Sequence, residues 1–407
     1  MLDFDEALEK ILKHTKRLPV ENISIDRSLG RVLATEIRTR EPIPRFDSSS
    51  VDGFAVRAED VKGASKENPV RLPLQGIRQA GTSRPVSLKQ GFAMKIMTGA
   101  LLPRHTSAVV MKEHVTTDSR IAEFMLHAKE GENVRSKGEE FDRGEIVLSR
   151  GTIITPPVVG MLATLGFTKV KTYRAPRVAL IVTGNELRMS PGALRAGEIR
   201  DSNSHTLAAA LRMAGISPAL VLHIPDRREQ ISKAFARALK KADVVVSAGG
   251  VSVGDFDFVK EVLNDLRVKT VFWRVAMKPG KPNYFGVRSA RLVFGLPGNP
   301  VSALVSFEML VMPALRKMMG IHPSEFLNSQ ALLDSDVRKG KGRIEFARAV
   351  VSRSSDGHLT VRPVEGQGSH MVGGLVAANC LIIFPKDSEL ISKGDVVSIR
   401  MFAWNQE

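Results

Sequence analysis

The chain has 407 residues and carries 59 lysines and arginines against 43 aspartates and glutamates, a formal net charge of +16. A single hydrophobic core rarely exceeds about 250 residues, so a chain of this length is expected to form several domains. The positive charges are dispersed and aromatic residues make up only 5% of the chain, which argues against a nucleic-acid-binding surface and favours small anionic ligands.

The cysteine content and the hydropathy pattern indicate the cellular compartment in which the protein is expected. Cys380 is the only cysteine, so no disulfide can form within the chain, which suits a reducing compartment. It lies in the apolar run 379–384 and is expected to be a packed thiol rather than a nucleophile. The acidic N-terminus lacks a signal-peptide pattern, and no apolar run approaches the roughly twenty residues of a membrane span. We therefore expect a soluble, cytoplasmic protein that does not bind a membrane.

The first 176 residues show helical patterns on either side of a β-rich middle. An amphipathic helix is predicted over 3–14, and a short helix is predicted over 158–165. Residues 45–140 contain short apolar runs and turn signals without helical periodicity, as is typical of a separate β-rich lobe. The sequence predicts a discontinuous linking domain, formed by 1–44 and 141–176, into which the lobe 45–140 is inserted.

The remaining chain divides into an α/β part and an all-β part. Residues 177–324 alternate between strand and helix patterns, which predicts a mostly parallel sheet covered on both faces. Residues 325–407 carry short strands, including a hairpin over 345–352 and 359–364, and predict a small β domain. The expected fold class is a multidomain α/β plus β protein with a central parallel-sheet domain, a β-rich inserted lobe and a C-terminal β-barrel-like domain.

A glycine-rich turn follows the predicted strand 244–246. Gly249, Gly250 and Gly254 lie close together, Ser252 adds a hydroxyl donor, and a predicted helix follows. A strand, a glycine loop and a helix start are the arrangement in which backbone N–H groups bind a phosphate. One such turn alone is more often only structural.

Two further elements of this kind follow within about sixty residues. The turn 277–282 supplies the ammonium groups of Lys278 and Lys281. The segment 295–302 leaves an apolar run and enters a helix, with Asn299 expected as its N-cap and Pro300 as its first residue. Three such elements together predict a site for a nucleotide or another phosphorylated ligand. The predicted binding residues of the last segment are Pro297, Gly298, Asn299 and Pro300.

Several polar residues directly follow predicted strands of the α/β part. Ligands of parallel sheets bind at the carboxyl ends of the strands, so we expect these side chains to converge on one edge. They are Glu186, Asp226, Ser252, Asp255 and Lys278.

With these segments in view, the chain resembles the molybdopterin molybdenumtransferase family, which includes MoeA and the E domains of gephyrin and plant Cnx. The agreeing motifs occur in family order and are RFDSSSVDGFA (45–55), MTGA (97–100), TGNEL (183–187), GGVSVGDFD (249–257), KPGKP (278–282) and GLPGNPVS (295–302). The resemblance implies an elongated four-part subunit that forms a homodimer, with a site between the sheet domain of one subunit and the β-rich lobe of the other. It implies the insertion of molybdate into adenylylated molybdopterin, with Mg²⁺ present and AMP released.

The resemblance also implies roles for residues at matching positions. Asp226 and Asp255 are expected to bind Mg²⁺, with Glu186 as a nearby acid, and the loop 249–254 is expected to hold the adenylate. Asp52 and Thr98 would reach in from the partner subunit. The expected oxyanion contacts for molybdate are Lys278, Lys281, Arg348 and Ser369.

Alternatives remain at the level of residues and of function. Asp226 with Glu229 also fits a helix capping box, and Arg348 and Ser369 also fit a solvated surface. An adenylyltransferase of the same pathway would share the parallel-sheet domain, although 1–176 and 325–407 argue against it. A non-catalytic scaffold of the same fold is disfavoured by the retained acids and lysines. Expected partners are the anionic substrates, a second subunit and the adenylyltransferase, and the net charge is expected to attract anionic substrates or an acidic partner.

Overall fold

The computed structural model describes residues 1–118, 120–189, 191–250, 258–321 and 328–404. The chain forms two compact units: a main unit of Met1–Thr35 with Gly151–Glu407, and an inserted unit of Glu36–Arg150. The four-part division expected from the sequence is finer than this, and its boundaries stay a prediction.

The main unit begins with a helix that is anchored in its core. This helix, α1 (Phe4–His14), follows an N-cap at Asp3, whose carboxylate accepts a hydrogen bond from the backbone N–H of Asp5 at 3.2 Å. Its apolar face buries Phe4, Ala7 and Ile11 in the core of the central sheet. The strand β1 (Val20–Ser24) follows.

The inserted unit is built from short strands, and its helical turns among the described residues are 3₁₀ turns at 58–61 and 112–114. Six of the strands pair in the order β7-β4-β6-β5-β9-β8, and their inner side chains form the core of this unit. In chain order the strands are β2 (Ile37–Arg38), β3 (Ser48–Ser49), β4 (Gly53–Val56), β5 (Val70–Arg78), β6 (Ala93–Ile96), β7 (Ala108–Met111), β8 (Val115–Thr117), β9 (Ile121–Phe124), β10 (Val134–Arg135) and β11 (Ile146–Leu148).

The chain then returns to the main unit and alternates between strands and helices. The strand β12 pairs antiparallel with β1 and joins the two segments of this unit. The elements are α2 (Pro156–Thr164), β12 (Lys169–Tyr173), β13 (Val178–Thr183), β14 (Leu187–Arg188), β15 (Ile199–Arg200), α3 (Asn203–Met213), β16 (Leu220–Ile224), α4 (Arg228–Lys241), β17 (Val244–Ala248), α5 (Val259–Asp265), β18 (Lys269–Arg274), β19 (Met277–Lys278), β20 (Pro282–Arg288), β21 (Arg291–Leu296), α6 (Pro300–Ser306) and α7 (Met312–Met318).

The central sheet has the strand order β16-β13-β17-β21-β20-β18. The first four strands are parallel, and β20 and β18 continue the sheet antiparallel. Successive side chains of a strand point to opposite faces, so Leu180 packs in the core shared with α1, α3, α6 and α7, while Ile181 packs in the core shared with α4 and α5. The mostly parallel sheet covered on both faces is therefore confirmed.

The C-terminal part of the main unit is a closed barrel. Five strands pair around it in the order β24-β25-β22-β28-β26, and β26 pairs again with β24. The predicted hairpin is confirmed by the antiparallel pairing of β24 with β25, in which Arg353 lies opposite Leu359. The elements are β22 (Asn328–Leu333), β23 (Val337–Arg338), β24 (Ile344–Arg353), β25 (Leu359–Pro363), α8 (Gly373–Ala377), β26 (Cys380–Phe384), β27 (Leu390–Ile391) and β28 (Val396–Met401).

Cys380 lies inside this barrel. It is fully buried, and burial raises the pKa of its thiol to about 12. The thiol therefore stays protonated near neutral pH, as expected for a packed rather than a nucleophilic cysteine. No helix in the described part of the chain has the length and apolar character needed to cross a membrane.

Candidate functional site

The carboxyl ends of β13, β16, β17 and β21 meet at one edge of the central sheet, beside a cavity of about 550 Å³. The turns that leave these strands line the cavity, which is where parallel sheets bind ligands. Eight of the predicted site residues lie on its wall, namely Glu186, Asp226, Gly249, Gly250, Pro297, Gly298, Asn299 and Pro300.

The glycine turn after β17 lies directly on the end of β13. Gly249 and Gly250 have φ angles of +90° and +65°, a region that side-chain-bearing residues rarely adopt. A Cβ on Gly249 would also lie 2.5 Å from the carbonyl oxygen of Thr183, and one on Gly250 would lie 2.8 Å from Cγ2 of Val259. Both positions therefore require glycine. The N–H of Gly249 donates to the carbonyl of Leu296 at 3.2 Å, so the sheet already uses this donor.

Glu186 folds back over the turn that follows β13. A Cβ on Gly184 would lie 2.7 and 2.8 Å from the two carboxylate oxygens of Glu186. Glycine at this position thus leaves the space in which the carboxylate lies at the cavity wall. The side chain is exposed to solvent and accessible to a ligand.

Asp226 does not cap the helix that follows it. The N-cap position of α4 is Arg227, without a side-chain cap bond, and Glu229 pairs with Lys233 at 2.5 Å. The capping-box interpretation is therefore wrong. The backbone N–H of Asp226 donates to Oδ1 of Asn185 at 3.1 Å, and among the described residues no donor is bonded to the Asp226 carboxylate. A carboxylate left without a protein partner at a cavity wall is available to a ligand.

Asn299 occupies the N-cap position of α6 without capping it. Its amide Nδ2 instead donates to Oγ of Ser369 at 2.9 Å, and the carbonyl of Ser369 accepts from the N–H of Val301 at 3.2 Å. The loop 366–371 therefore lies against the start of α6, and its His370 lines the cavity.

Arg348 holds this loop from the barrel side. Its side chain is buried, with only 1% exposed, so the solvated-surface interpretation is wrong. Its guanidinium donates to the carbonyl oxygens of Met371, Gly366 and Gly368 at 2.6, 2.8 and 3.1 Å. Burial lowers the pKa of Arg348. The donors of this side chain are used within the protein, and through the loop they fix Ser369.

The two predicted lysines do not line the cavity. Lys278 pairs with Glu345, with Nζ 3.1 Å from Oε1, because β19 and β24 are paired with these two residues opposite each other. The Glu345 side chain is only 12% exposed. Lys281 is exposed at the end of the same turn. The oxyanion roles of both lysines stay a prediction.

The remaining predicted site residues either belong to the inserted unit, which is described by itself, or lie outside the described residues. In the inserted unit, Oδ1 of Asp52 accepts from the backbone N–H and the hydroxyl of Thr98, both at 2.8 Å. These hydrogen bonds, the backbone one foremost, lower the pKa of Asp52. Ser252, Gly254 and Asp255 lie outside the described residues.

The sequence interpretation missed a polar group at the start of α3 that also lines the cavity. The Asp201 side chain is almost fully buried. It accepts from the N–H of Ser204 at 3.1 Å and lies 3.1 Å from Nδ1 of His223. Nδ2 of Asn203 donates to the carbonyl of Gly298 at 2.7 Å. The available signal was the polar run 201–203 in a part of the chain where strand and helix patterns alternate.

The carboxylates at the cavity suit a hard cation whose coordination shell is completed by oxygens of the substrate. Within the described ranges, no three His, Cys, Asp or Glu side chains are grouped closely enough to hold a metal by themselves. Glu186, Asp201 and Asp226 nevertheless all line the cavity. Mg²⁺ commonly takes one or two carboxylates and fills its shell with water and substrate phosphates. This donor set therefore fits Mg²⁺.

Comparison with known proteins gives matches along nearly the whole chain. The family profiles "MoeA N-terminal region (domain I and II)", "Probable molybdopterin binding domain" and "MoeA C-terminal region (domain IV)" match residues 2–166, 179–317 and 330–402. The chain is 35% identical over 411 residues to the molybdopterin molybdenumtransferase of Haemophilus influenzae, covering 99% of both chains. It is also 35% identical over 399 residues to that of Bacillus subtilis, covering 97% of this chain and 93% of the relative. The crystal structure of the molybdopterin biosynthesis moeA protein from Pyrococcus horikoshii OT3 matches with a TM-score of 0.82 and 30% identity, over 99% of this chain and 100% of that one.

Proposed function

The chain belongs to the molybdopterin molybdenumtransferase family, and from this premise we propose that it inserts molybdate into adenylylated molybdopterin and releases AMP. The observation that carries the proposal is the full-length match to enzymes of that name, at 35% identity over 99% of both chains. The match includes 2–166 and 330–402, so an adenylyltransferase built from the sheet domain alone is not favoured.

The cavity at the sheet edge supports a site for the adenylylated substrate. Turns from four strands line it. One of the carboxylates on its wall, that of Asp226, has no hydrogen-bond partner among the described residues. Asp226 and Asp255 would hold Mg²⁺, with Glu186 beside them. When bound, this ion would neutralise the negative charge that builds up as a pyrophosphate-type bond is cleaved. The glycine turn 249–254 would lie along the adenylate.

The oxyanion contacts would come from the adjoining turn and loop. Lys278 and Lys281 supply ammonium groups, and fixed positive charge stabilises an oxyanion best when it is held in place beforehand. The pairing of Lys278 with Glu345 at 3.1 Å supports such a fixed position. Ser369 would offer its hydroxyl to molybdate. Arg348 would act through the loop 366–371, which it holds by three carbonyl oxygens.

Asp52 and Thr98 would complete the site from the partner subunit of a homodimer. The two hydrogen bonds that Thr98 donates to Asp52 hold its carboxylate in place and lower its pKa, which favours the ionised form. The protein would work in the cytoplasm and receive its substrate from the pathway's adenylyltransferase.

A complementation experiment tests both the reaction and the shared site. Asp52→Asn and Asp226→Asn proteins are each expected to release little AMP from adenylylated molybdopterin with Mg²⁺ and molybdate. Mixed subunits would form some dimers with one intact site, so mixing should restore up to about a quarter of wild-type activity by random pairing. Two inactive variants that stay inactive after verified subunit exchange would refute the shared site. A wild-type protein that releases no AMP would favour the scaffold alternative.

A further inference from the structure

Two buried polar atoms on the cavity wall have no hydrogen-bond partner among the described residues. They are Oγ1 of Thr183 and Oδ1 of Asn203. Both residues line the cavity and are more than nine-tenths buried, with 4% and 7% of their surface exposed. Buried polar groups are almost always paired in native proteins. Two unpaired groups at one cavity therefore point to a ligand that pairs them.

The Thr183 hydroxyl lies beneath the glycine turn. Thr183 is the last residue of β13, and a Cβ on Gly249 or Gly250 would lie 3.1 or 3.0 Å from its Oγ1. The described part of the turn, Gly249 and Gly250, therefore lies directly over the hydroxyl. A hydroxyl in this position can donate to an oxygen of a ligand held along the turn.

The NH2 group of the Asn203 side chain fixes the orientation of its amide. Nδ2 donates to the carbonyl of Gly298 at 2.7 Å, which fixes Oδ1 as the remaining acceptor. Gly298 itself lies against the glycine turn, since its Cβ would be 3.7 Å from Cα of Gly249. The two unpaired atoms are thus linked through the adjoining turns that follow β17 and β21.

We infer that the Thr183 hydroxyl and the Asn203 amide oxygen bind the nucleoside monophosphate part of the substrate. Thr183 donates to a phosphate oxygen, and Asn203 accepts from a ribose hydroxyl. A nucleoside monophosphate carries both the acceptor and the donor that this pair lacks. The inference rests on the proposed function, which places an adenylate at this cavity.

Thr172 provides a matched control. It is also a buried threonine in the main unit with an unpartnered Oγ1, but it lies on β12 and does not line the cavity. Valine is nearly isosteric with threonine, and removing an unpaired buried hydroxyl costs no protein hydrogen bond. Thr183→Val and Thr172→Val should therefore both fold and melt at or above the wild-type temperature.

Calorimetric titration with AMP and with adenosine tests the inference. Thr183→Val should weaken AMP binding about tenfold, the effect of one hydrogen bond to a charged group, and leave adenosine binding unchanged. Thr183→Ser, which keeps the hydroxyl, should bind AMP within about threefold of wild type, and Thr172→Val should match wild type. Asn203→Ala should weaken both AMP and adenosine, whereas Asn203→Asp keeps an acceptor and should weaken adenosine less.

The outcomes separate this inference from the proposed function. If wild-type protein binds AMP and Thr183→Val binds it equally well, the inference is wrong and the proposed function is unaffected. If Thr183→Val and Thr172→Val weaken AMP binding equally, the effect is structural and the inference also fails. If wild-type protein neither binds AMP nor releases it, both are overturned.

Discussion

Replacing Arg348 by methionine distinguishes a loop anchor from a direct oxyanion contact. The Arg348 guanidinium donates to the carbonyl oxygens of Gly366, Gly368 and Met371, and the chain around it is closely packed, since a Cβ on Gly374 would lie 2.8 Å from its Nη1. Methionine fills much of the same space but donates nothing. The substitution therefore leaves three carbonyl oxygens without their donor.

The expected loss follows from these bonds. A hydrogen bond to a charged group contributes about 1.5–3 kcal/mol. The loop 366–371 is partly exposed, so water can replace part of this, and we expect Arg348→Met to lower the unfolding free energy by about 3–5 kcal/mol. Urea unfolding can be followed by the fluorescence of Trp404, which stacks on Phe402 with a centroid distance of 4.4 Å, in a Trp273→Phe background.

Arg353 offers a control on the same strand. It is exposed and donates to one carbonyl oxygen, that of Gly357 at 2.8 Å, so Arg353→Met should cost no more than about 0.5 kcal/mol. Limited proteolysis should cut Arg348→Met within 366–371 and leave Arg353→Met intact. If Arg348→Met is as stable as Arg353→Met and loses only molybdate affinity, Arg348 contacts the oxyanion directly and the anchor account is wrong.

Three further predictions concern single residues. Asp226→Asn should abolish most AMP release and leave the urea midpoint unchanged, because the Asp226 carboxylate has no partner among the described residues. Glu229→Gln should leave activity unchanged. A large loss of stability in Asp226→Asn would show that the carboxylate has a structural role instead. Cys380, with its pKa raised to about 12 by burial, should react with a thiol reagent at pH 8 only after unfolding, and rapid native labelling would show that the barrel opens. Gly249→Ala should lower the unfolding free energy by about 2 kcal/mol or more and abolish AMP binding, because its Cβ would lie 2.5 Å from a backbone oxygen. Gly215 also has a positive φ but has open space around it, so Gly215→Ala should lower the unfolding free energy by about 1 kcal/mol. Equal losses in the two variants would refute the steric explanation.

Local patterns predicted the elements and the site edge well. Continuous short apolar runs such as 178–182 are typical of strands in a sheet that is buried on both faces. The alternation of strands and helices then fixes the direction of the strands, and so places Glu186, Asp226 and the glycine turn at one edge. The hairpin of β24 and β25 could also be predicted from the sequence, because its turn carries Asp356-Gly357.

The interactions that the sequence could not predict depend on tertiary contacts. A lone arginine on a strand is usually exposed, and Arg348 is buried because the carbonyl oxygens of the loop 366–371 and Oε1 of Gln367 accept from its guanidinium. Asn299 has the residue type and position of an N-cap, but Ser369, seventy positions away, takes its amide. Asp201 lies just before α3 and Asn203 is its first residue, positions where polar capping residues are common, and nothing local distinguishes these two from caps.

The most direct test of the central claim is AMP release from adenylylated molybdopterin by the purified protein, with Mg²⁺, in the presence and absence of molybdate. We expect release that depends on molybdate, with the metal retained on the pterin afterwards. Release that is equal with and without molybdate, or no release at all, would contradict it.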